Sequence, residues 1–116
     1  MKFELYSELY NQALQYDDCD MYVAERGWQD WMDNFSDGND VSVISTILSG
    51  IFDVAHMDIK KMRADLGLTF KSFSERYSIP SRTAQDWDYG KNKTPEYILK
   101  FVGYTILLRR LENEQN

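Results

Sequence analysis

The residues that could carry chemistry in this chain are few, and most are in the wrong company for catalysis. Nucleophilic cysteines sit in electropositive surroundings, whereas the single cysteine, Cys19, lies among Asp17, Asp18 and Asp20. His56 is the only histidine and has no cysteine or histidine neighbours in sequence from which to build a zinc site. Asp33-Asn34-Phe35-Ser36-Asp37-Gly38 opens like a calcium loop, but its third position is Phe35 and its twelfth is Ile44. An EF-hand loop needs oxygen donors at both. No glycine-rich phosphate loop is present. These readings predict no enzyme, no metal and no cofactor.

The charges are more informative. Residues 1–56 hold two basic side chains against eleven acids, a net of −9, while residues 57–116 hold eleven against eight, a net of +3. Two halves of opposite sign can address different partners. The second half suits phosphates, and the first does not.

Helices must position these groups. In the first segment Phe3, Tyr6, Tyr10, Ala13 and Leu14 recur at three- and four-residue steps, with Asp20 read as the N-cap of a second helix carrying Ala24, Trp28, Trp31, Met32 and Phe35. Ser36 to Asp40 is a loop by composition. Ile44, Ile47, Leu48, Ile51, Phe52 and Ala55 then hold one helical face. In the basic half a short helix carries Ile59, Met62 and Leu66 and stops at Gly67. Thr69 caps another with Phe70, Phe73 and Tyr77, and Ser78-Ile79-Pro80 is a turn. A helix from Ser81 to Tyr89 carries Ala84 and Trp87 and closes at Gly90. Thr94-Pro95 opens the last helix, whose buried face is Ile98, Phe101, Val102 and Ile106. The fold expected is all-α with about seven helices, divided into an acidic module (1–56) and a second domain (57–116). No apolar run reaches the roughly 20 residues a bilayer span requires. The N-terminus does not read as a signal peptide, and one cysteine excludes an internal disulfide, so a cytoplasmic location is expected.

Two short helices joined by a tight turn, with a third before them, are the helix-turn-helix plan. The segment Ile59-Lys60-Lys61-Met62-Arg63-Ala64-Asp65-Leu66-Gly67-Leu68-Thr69, then Phe73-Ser74-Glu75-Arg76-Tyr77, then Ile79-Pro80-Ser81-Arg82-Thr83 through Trp87-Asp88-Tyr89-Gly90, resembles the Cro/C1-type (lambda-repressor-like) DNA-binding proteins. The Ile-Pro-x-Arg-Thr-x-x-x-Trp variant is similar to regulators of bacterial mobile elements and phages, and the resemblance covers residues 57–108. It implies base reading by Ser81, Arg82, Gln85 and Asp86, and phosphate contacts by Lys71, Lys91 and Lys93. Arginine can take guanine O6 and N7 together, glutamine adenine N6 and N7, and aspartate can accept from cytosine N4. The chain departs from the family at three positions: Phe70 stands where glutamine is usual, Ser74 where alanine is, and Ser78 at the turn position that favours glycine. Trp87 is read as core, packed on Ile59, Phe73 and Phe101.

The expected function is a sequence-specific regulator binding double-stranded DNA as a homodimer on an inverted repeat. For the acidic half three readings stand: a small bundle docked on the rest, a partner or dimer surface centred on Trp28 and Trp31, or a carboxylate array that imitates phosphates. The alternative function is an interaction protein, an antitoxin or anti-defence inhibitor, using that acidic surface on a nucleic-acid-binding target.

Overall fold

A computed structural model describes residues 1–27 and 41–114. Those residues form seven α-helices and no strand: α1 (Phe3–Ala13), α2 (Cys19–Arg26), α3 (Val41–Ala55), α4 (Ile59–Leu66), α5 (Phe70–Tyr77), α6 (Ser81–Asp88) and α7 (Glu96–Glu114). None of them is long and apolar enough to cross a membrane. Trp28, Trp31, Met32 and Phe35, and the Asp33–Gly38 segment, lie outside the described residues.

The core is built on α3 and α7, with α1 packed on both. Its largest wholly buried side chains include Tyr6, Leu9, Tyr22, Leu48, Ile51, Val54, Met62, Phe73, Ile106 and Leu107. The periodicity of α3 identified its buried face, except that Phe52 is half-buried and Val54 is buried in full. Two glycines set the closest approaches. A Cβ on Gly50 would meet Leu107 Cδ1 at 2.8 Å, and one on Gly103 would meet the Tyr6 hydroxyl at 2.9 Å. Both contacts are closer than a Cβ tolerates, so a side chain at either position would force Leu107 or the Tyr6 hydroxyl to move.

Polar contacts then fix the helices in place. The Tyr6 hydroxyl donates to the Lys100 carbonyl at 2.9 Å, and the Tyr22 hydroxyl to the Leu9 carbonyl at 2.9 Å. Arg110 ties α7 to α3 and α4 at once, through Asp53 at 2.6 Å and Asp65 at 2.8 Å. The His56 ring reaches from the Phe52 carbonyl (2.8 Å) to the Tyr16 carbonyl (3.0 Å), pinning the connection after α1 to the end of α3.

Several local expectations are corrected. Asp18, not Asp20, caps α2, its carboxylate accepting from the Asp20 N–H at 2.9 Å. The cap sits two residues earlier because the helix begins at Cys19 and buries Tyr22, leaving Ala24 exposed. Leu14 follows the last residue of α1 and is 46% exposed. Phe101 is 50% exposed and stacks on Phe3, ring centroids 5.1 Å apart, on the outer flank of α7. The inward face there belongs to Val102, Gly103, Ile106 and Leu107. The last helix starts at Glu96, with the Pro95 carbonyl accepting from the Leu99 N–H at 3.3 Å.

Candidate nucleic-acid interface

Helices α4, α5 and α6 are each eight residues long, and local chemistry sets their ends. Asp58 caps α4 by accepting from the Lys61 N–H at 2.8 Å, and Thr69 caps α5 by accepting from the Ser72 N–H at 3.1 Å. Gly67 ends α4 in the left-handed region at φ +67°. Ser78 ends α5 in the same region at φ +56°, the one described non-glycine residue with positive φ. Three residues, Ser78-Ile79-Pro80, separate α5 from α6, and Ile79 anchors the turn by burying its side chain. Phe73 and Ala84 are the buried contacts of the two helices. Trp87 is half-buried against the core. Its burial is less complete than foreseen, and its expected neighbour Phe101 stacks on Phe3 instead.

Of the four side chains singled out for base reading, the structure exposes two. Ser81 and Arg82 occupy the first turn of α6, and the Arg82 side chain is 77% exposed. Gln85 is half-buried. The Asp86 carboxylate is only 18% exposed and lies 3.4 Å from Arg82 Nε. Lys71, early in α5, and Lys91 and Lys93, between α6 and α7, are all exposed. The loop bearing the two lysines is held to α6 by main-chain bonds, Lys91 N–H and Asn92 N–H both donating to the Asp86 carbonyl at 2.8 and 3.3 Å.

An ionic clamp that the sequence reading missed organises the three helices. Arg63 on α4 pairs through Nε with Asp88 on α6 at 3.1 Å. It also donates from Nη1 to the Leu68 carbonyl at 3.0 Å and lies with Cζ 4.2 Å from the centroid of the Phe70 ring. The Asp88 side chain is 5% exposed, and burying a carboxylate this far is costly without an ion-pair partner such as Arg63. Phe70 also meets Tyr89 edge-on at 6.0 Å. Phe70, at the position where the resemblance led one to expect glutamine, therefore serves as an aromatic platform under an arginine. Only a charge pair at 25 residues' separation signals this, and no local pattern flags such a spacing.

An open groove of about 390 Å³ runs between α3 and α7, lined by Ser45, Thr46, Ser49, Gly50, Asp53 and Arg110 among others. None of the residues singled out from sequence lines it. No protein-family model, curated protein or solved structure matches this chain.

Proposed function

We propose that the chain is a lambda-repressor-like, sequence-specific DNA-binding regulator that works as a homodimer on an inverted repeat. One observation carries this reading: two eight-residue helices meet across a three-residue turn, and the second presents an exposed arginine on its first turn, with exposed lysines before and after it in the chain. That is the arrangement a recognition helix needs, with a donor fork for base edges and flanking cations for the two phosphate strands. Regulation would follow from occupancy, a helix in each of two successive major grooves.

The test is selection of a preferred site from random duplex, then anisotropy titration of the full chain at several salt concentrations. Binding should weaken steeply with salt as counterions are released. Arg82→Ala should cost roughly 1–3 kcal/mol at the preferred site and little on random duplex. Lys91→Ala and Lys93→Ala should weaken all sequences alike and flatten the salt slope. A protein that binds no duplex even at low salt would refute the proposal and leave the acidic half as the functional surface.

A further inference from the structure

We infer that Asp86 positions Arg82 for guanine and reads no base itself, an inference that rests on the DNA-binding reading above. The two residues are one helical turn apart on α6, Arg82 Nε 3.4 Å from Asp86 Oδ1. Their exposures are unequal, 77% for the arginine and 18% for the aspartate. The carboxylate is therefore the recessed, fixed member and the guanidinium the outer, searching one.

Asp86 is fixed by more than its side chain's surroundings, because its own carbonyl takes the Lys91 and Asn92 N–H groups. The contact runs through Nε, so both Nη nitrogens of Arg82 remain as donors. Those two donors match the O6 and N7 acceptors that guanine presents side by side in the major groove. In water such an exposed i,i+4 pair is weak. Docking against a duplex removes water and strengthens the attraction between the two charges. The same pairing shields the phosphates from a carboxylate that would otherwise repel them.

The experiment is a double-mutant cycle read as base discrimination, on the selected site and its single-base variants. Asp86→Ala is expected to lower discrimination for one guanine roughly tenfold, while binding to random duplex stays level or tightens. Asp86→Asn keeps the shape, removes the charge and should give the same loss, which separates the effect from misfolding. In an Arg82→Ala background, adding Asp86→Ala should change discrimination no further. Three outcomes would overturn the inference. Undiminished discrimination in both Asp86 variants would show that Arg82 needs no partner. Loss of preference at a different base pair, persisting without Arg82, would show that Asp86 reads a base directly. No sequence preference in the unmutated protein would remove the DNA-binding reading and this inference with it, and only that outcome is visible without any variant.

Discussion

Two tyrosine hydroxyls show how single residues in this fold convert burial into conditional stability. Tyr6 and Tyr22 are wholly buried, and each donates to a main-chain carbonyl. Burial holds both hydroxyls well above the usual tyrosine range, with neighbouring Tyr10 and Tyr104 adding to the effect at Tyr6. A phenolate could neither donate to a carbonyl nor be solvated there. The sign follows from linkage: a group whose proton is held more tightly in the folded state stabilises it fully below the unfolded value near 10. That stabilisation is lost as pH rises beyond this value. The protein should therefore resist acid-to-neutral change at these sites and unfold on titration above about pH 10. Tyr22→Phe should reduce stability by about 1 kcal/mol at neutral pH, through the lost hydrogen bond, yet make the alkaline decline shallower. Denaturant unfolding at pH 7 and at two alkaline values checks both parts, and an unchanged alkaline slope would contradict the assignment.

At the scale of elements, the turn between α5 and α6 shows what was legible in the sequence and what was not. Thr69, Gly67 and Pro80 punctuate the chain by local rules, so the existence and ends of α4, α5 and α6 could be read directly. The stripe of α3 was legible for the same reason. The Arg63–Asp88 clamp, the outward turn of Phe101 and the recess of Asp86 were not, because each depends on which distant helix packs alongside. Ser78 and Ser74 lie between these cases. Ser78 occupies the left-handed conformation that a side chain disfavours by roughly 1–2 kcal/mol, and the buried Ser74 hydroxyl has no hydrogen-bond partner among the described residues. Both stand where the sequence resemblance led one to expect another residue, and both carry a structural cost. Ser78→Gly should stabilise the protein by about 0.5–1 kcal/mol, the relief of strain being partly offset by glycine's freedom when unfolded. Ser74→Ala should add about 1 kcal/mol by removing an unsatisfied buried group. Thermal melts of the two variants and their combination test this, and a lower melting temperature for either would show that the native serine is used.

For the whole molecule, the question is whether the acidic and basic halves are separable. The boundary expected after residue 56 lies in the connection between α3 and α4, yet buried residues continue across it as one cluster. Helix α7 belongs to both sides: it packs on α4 and α1 and, more extensively, on α3. A fragment of residues 57–116 would strip α3 and α1 from α7, whose buried side chains include Val102, Ile106 and Leu107. Each such side chain contributes roughly 1.5–3 kcal/mol when buried, and their sum rivals the 5–15 kcal/mol that typically holds a small domain together. The fragment would also lose the Tyr6 bond to Lys100 and the Asp53 partner of Arg110. It is therefore expected to show no cooperative thermal transition, while the full chain melts in one step. Circular dichroism and scanning calorimetry on both would decide. A fragment that melts cooperatively with the helix content of α4 to α7 would show that the basic half folds alone. If it does not, helices α1 to α3 are a structural part of the basic half, not a detachable arm. Carboxylates on those helices, Glu4, Glu8, Asp20, Glu25 and Asp53, are then held within a molecular diameter of any bound duplex, where screening beyond about 8–10 Å at physiological salt decides how much of the repulsion survives.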